Sequence, residues 1–380
     1  MALTAVLGLG QTVENPRQAA LALEQQGQSA EAETAWRAVL KAHPSNPEAY
    51  AHLGLLEARQ ERYKEAVPLY RKALALDPAM PGLRLNLGLA LFKAGELKDA
   101  LQIFVPLRKS QPVGSPEAQR LTILVGMAHY GLGEYAAAAP FLKEAAAADA
   151  RNLPLRLSLA HSCLWSKQYQ CVMDTYREIL RLNAESAEAD MLAGEALDEL
   201  KDHTGAIEQF RAAVKANPRE PQVHFGLGYL LWTQHQYPEA VSELQAELAN
   251  FPDDAQALLY LGDAEMQMSH PEAAIEPLQK AIRLGPAQEL AHLDLGIVYA
   301  DSGRQEEALR EMKEAVRLAP KDVNAHWRLG RLYRSLGKKD EAKAEFDQAS
   351  SLTRAVDDAL AAKMGNGRTK PAAPAAPPAN

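Results

Sequence analysis

Cysteine is nearly absent: Cys163 and Cys171 are the only two in 380 residues. That excludes a disulfide-dense scaffold and a cysteine-built zinc framework. Aromatic residues are scarce, at 6%. No apolar run approaches the roughly 20 residues that a bilayer-crossing helix needs, so membrane insertion is not expected. Positive charge is in deficit, with 41 Lys and Arg against 49 Asp and Glu and a net charge of -8, and the basic residues form no stripe. Nucleic acid is therefore not expected as a partner.

The common catalytic signatures are missing as well. There is no Gly-rich phosphate loop with its lysine, no His-Glu-x-x-His and no Gly-x-Ser-x-Gly elbow. Gly226 and Gly228 imitate part of a nucleotide fingerprint, but no strand precedes them and close helix packing explains them better. Asp253-Asp254 and Asp357-Asp358 fall in a loop and near the chain's end, where acid-base chemistry lacks a desolvated pocket. The ten histidines show no metal spacing, and His161 with Cys163 supplies too few ligands. The expectation is a chain without catalytic residues, cofactor or metal.

What is present is a helix former's composition, rich in Ala, Leu and Glu, in a chain too long for one compact core. It carries a fixed period. From Gly54 a step of 34 reaches Gly88; after four extra residues at 113–116 the steps continue through Gly126, Ala160, Gly194, Gly228, Gly262, Gly296 and Gly330. Twelve residues beyond each small residue stands Ala66, Ala100, Ala138, Ala206, Ala240, Ala274, Ala308 or Ala342, with Val172 the exception. Four further on comes a bulky group, among them Tyr70, Phe104, Phe210 and Phe346. Small residues let two antiparallel helices approach and the bulky one fills the space between them. Prolines such as Pro44, Pro78, Pro218 and Pro320 close the second helix.

This pattern resembles the tetratricopeptide repeat, met almost in full by Leu53-Gly54, Ala66, Tyr70 and Pro78 and again by Leu295-Gly296, Tyr299, Ala308 and Pro320. The resemblance implies an all-α, right-handed superhelical solenoid of about ten helix-turn-helix repeats. Repeats are expected over residues 13–354, beginning near Val13, Pro47, Pro81, Gln119, Leu153, Ala187, Pro221, Ala255, Glu289 and Val323. Residues 1–12 read as a flexible or truncated-signal segment, 355–364 as a capping helix, and 365–380 as a disordered Pro/Ala-rich tail.

On the first helix of each repeat, one stripe is consumed by packing within the repeat. In the family the opposite stripe, at positions two, five, nine and twelve, lines a concave groove. Here that stripe is often apolar: Leu85, Leu89 and Phe92; Ile123, Met127 and Tyr130; Leu157 and Leu164 beside Trp165; Phe225, Tyr229 and Trp232. Tyr and Trp dominate binding hot spots, which makes this stripe the candidate site. Positions five and twelve can equally contact the neighbouring repeat. Glu195, Asp198, Glu199, Asp263, Asp294 and Asp301 form an acidic stretch, followed by Arg328, Arg331 and Arg334. These charges read either as ligand selection or as a solvated face.

The resemblance thus implies a non-catalytic adaptor that holds a protein or peptide. A structural, self-assembling module and an accessory subunit of an enzyme are the alternatives, and oligomeric state is left open. The compartment is open too: cytoplasmic by default, exported if Met1 to Gly10 is a signal remnant. Cys163 and Cys171 either form a disulfide or sit as small core residues, according to that compartment.

Overall fold

The computed structural model describes residues 15–182, 185–285 and 288–366, with side chains to residue 358. The expected N-terminal segment 1–12 and most of the expected tail lie outside the described residues. The chain divides into two compact units, Met1–Ala184 and Glu185–Asn380.

The first unit holds five helix pairs: α1 (Pro16–Gln25) with α2 (Ser29–Ala42), α3 (Pro47–Arg59) with α4 (Tyr63–Leu76), α5 (Leu83–Lys93) with α6 (Leu97–Ser110), α7 (Pro116–Gly131) with α8 (Tyr135–Ala148), and α9 (Leu153–Trp165) with α10 (Tyr169–Arg181). The second holds five more: α11 (Ala187–Glu199) with α12 (His203–Ala216), α13 (Val223–Thr233) with α14 (Tyr237–Asn250), α15 (Ala255–Gln267) with α16 (Pro271–Leu284), α17 (Glu289–Asp301) with α18 (Gln305–Leu318), and α19 (Val323–Ser335) with α20 (Lys339–Asn366). No strand occurs among the described residues. Within each unit every helix packs on the next, and first helices of successive repeats also meet, as α13 meets α15 and α17 meets α19. The fold is the all-α tandem-pair solenoid that the period implied. Helix α20 runs unbroken through residues 355–364, so this segment prolongs the last repeat.

Local chemistry starts and stops these helices. The side chains of Asn46, Ser115, Asn152, Ser186 and Asp322 accept a backbone N–H at the opening of a first helix, which satisfies one of the helix's orphan donors. Between the two helices of each repeat one residue adopts a left-handed φ between 59° and 82°. It is Gly27, Gly95, Gly133, Gly303 or Gly337 in five repeats, and Glu61, Lys167, Lys201, His235 or Ser269 in the other five.

The small-residue series marks the pair contact. A Cβ added at Gly54 would stand 2.7 Å from the Tyr70 ring, at Gly88 2.6 Å from Phe104, and at Gly194 2.6 Å from Phe210. Those three rings are buried, each contributing about 1.5–3 kcal/mol by leaving water. The fifth repeat lacks this fit, with Ala160 and Val172 in the two small-residue places. There Cys163 of α9 is bonded to Cys171 of α10, with a Cα–Cα distance of 5.8 Å.

Candidate functional site

In the second unit, α13 presents Phe225, Tyr229 and Trp232, and α15 adds Tyr260; all four are half-buried. The Tyr260 ring centroid is 5.0 Å from that of Tyr229 and 4.9 Å from that of Trp232, both edge-on, while Tyr229 stacks on Phe225 at 6.1 Å and on Trp232 at 6.0 Å. Such geometries are those that aromatic pairs favour. Burial, with Tyr229 and Asp263 nearby, raises the Tyr260 hydroxyl above its ordinary pKa, so it stays neutral and able to donate. The start of α13 is held by Glu247 of α14, whose two carboxylate oxygens accept from the backbone N–H groups of Gln222 and Phe225, each at 3.1 Å. Burial raises the Glu247 pKa, and those two bonds oppose the rise.

The aromatic cluster runs into a polar chain crossing four first helices. Trp232 Nε1 donates to Asp263 Oδ2 at 2.5 Å. Asp263 is hydrogen-bonded to Asp294 on α17, and Arg328 on α19 acts on Asp294 electrostatically. Asp263 is 4% exposed and Asp294 6%. Desolvation first, then the charge of Asp263 and the bond to it, raise the Asp294 pKa well above the usual carboxylate range, with Arg328 pulling the other way. Burial beside a second carboxyl group thus favours the protonated form of Asp294. Asp294 Oδ2 and Arg328 Nε have no hydrogen-bond partner among the described residues.

Beyond this chain, Arg328 and Arg331 line a cleft of about 230 Å³ with Asp301, Gln305 and Ser335. Arg331 lies with its guanidinium carbon 4.9 Å from the centroid of the exposed Trp327 ring, a cation–π contact. Arg334 instead packs over Phe346 at 5.6 Å.

The other expected site residues are placed differently. Glu195 is exposed, and Asp198 meets His203 Nδ1 at 2.8 Å in an ion-pair geometry. In the first unit, Phe92 is half-buried with its ring 6.3 Å from Phe104, and Met127 is half-buried on α7. Tyr130 meets Tyr135 edge-on at 5.7 Å; Tyr135 in turn stacks at 6.0 Å on Trp165, which is 64% exposed. Leu164 is buried. Position alone therefore did not separate facing residues from packing ones. Asp263 and Asp294 are internal links rather than solvated charges, because both are buried, Asp263 against Trp232 of the preceding repeat and Asp294 between Asp263 and Arg328. Tyr260, at position six, fell outside the inspected stripe.

A second missed feature is periodic. His224 Nδ1 lies 2.6 Å from Glu243 Oε2, His292 Nδ1 2.7 Å from Glu311 Oε2, and His326 Nδ1 2.6 Å from Glu345 Oε2. Each buried histidine on a first helix meets a glutamate on the second helix of its own repeat. The same step of 34 that orders the glycines orders these pairs, but a search for metal ligands alone passes over them. Among the described residues no group of three or more His, Cys, Asp or Glu is arranged to hold a metal, and no helix is long and apolar enough to cross a membrane.

Stacked antiparallel helix pairs with a small-residue seam define a helical-repeat protein of the interaction class. Tetratricopeptide repeat models match residues 17–81, 174–221, 225–289 and 293–361, with a second such model over 57–122; the chain belongs to the tetratricopeptide repeat family. The family's repeats serve protein interaction in general, and a non-catalytic role is typical of the fold. No curated protein matches the chain. Similar solved structures include MamA (25% identity, TM-score 0.40, covering 43% of this chain and 96% of that one). Others are YrrB, described as a TPR protein with an unusual peptide-binding site (20%, 0.42, 50% and 97%), and PilF of Pseudomonas aeruginosa (20%, 0.47, 52% and 90%). TM-scores below 0.5 transfer no ligand from these proteins to this chain.

Proposed function

We propose that the chain is an adaptor whose second unit holds an extended or helical segment of a partner protein. An apolar side chain of the partner packs on Phe225, Tyr229, Trp232 and Tyr260, and an acidic group faces Arg328 and Arg331. The observation that carries this reading is the four-ring cluster drawn from two repeats and left half-exposed. Rings of this kind are favoured as interface anchors because they bring large area at little entropic cost. The arginines set orientation and encounter rate more than affinity.

The test compares the immobilised full chain with a Tyr229→Ala, Arg331→Ala variant. These side chains lie outside the buried Trp232–Asp263–Asp294 chain, so helicity and melting temperature are expected to hold. Proteins retained from the source cell's extract by the native chain and lost by the variant support the reading. Equal retention by both, identified by mass spectrometry, sinks it.

A further inference from the structure

The histidine–glutamate register of the seventh, ninth and tenth repeats is filled differently in the fifth. Counting back 68 residues, two repeats, from His224 and Glu243 leads to Arg156 on α9 and Thr175 on α10. An arginine stands in place of the histidine, and the carboxylate that would face it is absent. Thr175 spends its hydroxyl on the Cys171 carbonyl, 2.8 Å away. The Arg156 side chain is only 6% exposed, yet its Nε has no hydrogen-bond partner among the described residues. Its Nη1 reaches the Asp149 carbonyl at 3.3 Å, and its Nη2 stands 3.4 Å from Glu178, whose side chain is half in solvent. A buried guanidinium held this loosely is costly unless something completes it.

The space left by the missing glutamate is a cavity of about 600 Å³ between α8, α9 and α10, entirely within the first unit. Lys143, Arg156, Arg177 and Arg181 line it, against Asp174 and Glu178. Arg177 is taken by Asp174 at 2.8 Å. Lys143 and Arg181 have no ion-pair partner among the described residues. Four cations over two carboxylates leave two positive charges uncompensated, more than a carboxylate would neutralise and equal to the charge of a phosphate monoester. The volume lies in the range of small-ligand pockets, with room for more than the anion itself.

We propose that this cavity binds a phosphate monoester, its phosphoryl oxygens standing against Arg156 where the seventh, ninth and tenth repeats place a glutamate carboxylate, with Lys143 and Arg181 closing over it. The assignment is independent of the partner surface on the second unit.

Isothermal titration of the full chain with inorganic phosphate, at ionic strength held constant with sodium chloride, tests it. Saturable binding at one site is expected, with Kd of about 1 mM or tighter. Two variants follow. Arg156→His with Thr175→Glu rebuilds the pair of the seventh, ninth and tenth repeats and fills the cavity, so it keeps its fold and loses affinity at least tenfold. Lys143→Gln with Arg181→Gln alters only exposed side chains and is expected to lose as much. Glycerol phosphate and a phosphoserine peptide, titrated in parallel, separate the two sources of such a group: the probe that outbinds inorganic phosphate is the one the site serves. No saturable heat with the native chain, or equal affinity in both well-folded variants, overturns the proposal.

Discussion

Trp232 of the seventh repeat is tied to Asp263 of the eighth by a direct indole-to-carboxylate hydrogen bond of 2.5 Å. The ring is therefore both a face of the candidate site and the donor that helps a buried carboxylate to stay buried. Trp232→Phe keeps most of the ring and removes the donor. It should cost about 1–3 kcal/mol, the penalty of an unsatisfied buried group, whereas Tyr229→Ala should leave the melting temperature nearly unchanged. Thermal unfolding of the two variants side by side separates them, and equal melting temperatures would count against the structural role of the indole.

Asp294 sets a pH dependence of defined sign. Its folded-state pKa is raised by burial and by Asp263, so between about pH 4 and that raised value the native chain holds a proton that the unfolded chain has released. Stability from this group is greatest at the acid end and falls as pH rises through the raised pKa. Asp294→Asn imitates the protonated form and removes the slope. Relative to the native chain it should gain about 2–4 °C at pH 7.5 for each kcal/mol recovered, and little at pH 4.5. Glu247, raised in the same direction, is common to both chains and cancels. Parallel urea titrations at the two pH values decide it; an identical pH response in both proteins would reject the raised pKa of Asp294.

Gly262→Ala probes the pair seam. The new methyl would meet Leu278 Cγ at 2.5 Å and Cδ2 at 2.6 Å, whereas at Gly126 the nearest atom, Leu142 Cδ2, is 3.0 Å away. Overpacking of this kind costs about 1–3 kcal/mol, so Gly262→Ala should destabilise clearly more than Gly126→Ala. The ranking in chemical denaturation is the test, and its reversal would show that the seam at Gly262 relaxes freely.

The Cys163–Cys171 bond closes a short loop across the turn of the least regular repeat. In the chain-entropy account a loop of this size contributes about 2–3 kcal/mol. A Cys163→Ala, Cys171→Ala variant should unfold earlier by that amount, and dithiothreitol should destabilise the native chain while leaving the variant unchanged. Indifference of the native chain to reductant would argue that the bond contributes nothing.

The period, the seam of Gly54, Gly88 and Gly194, and the aromatic run Phe225, Tyr229 and Trp232 were legible in the sequence because each rests on fixed spacing along one helix. What was not legible depends on neighbours in the next repeat. Asp263 looks like a surface charge until Trp232 and Asp294 are seen to enclose it, and Tyr260 joins the cluster from a position that lies in neither stripe of a single-helix projection. The histidine–glutamate pairs are an intermediate case, written at the repeat period but between two helices, so only a comparison of both helices at once finds them.

The ten left-handed turns have a practical consequence. Five of them are built on Glu61, Lys167, Lys201, His235 and Ser269, side chains that pay a steric penalty there which glycine avoids. Each lies in a different repeat, far enough apart for effects to add. Exchanging them for glycine, at about 0.5–1 kcal/mol apiece once the looser unfolded chain is counted, offers a graded series of hardened chains in which the aromatic cluster and the Arg156 cavity are untouched.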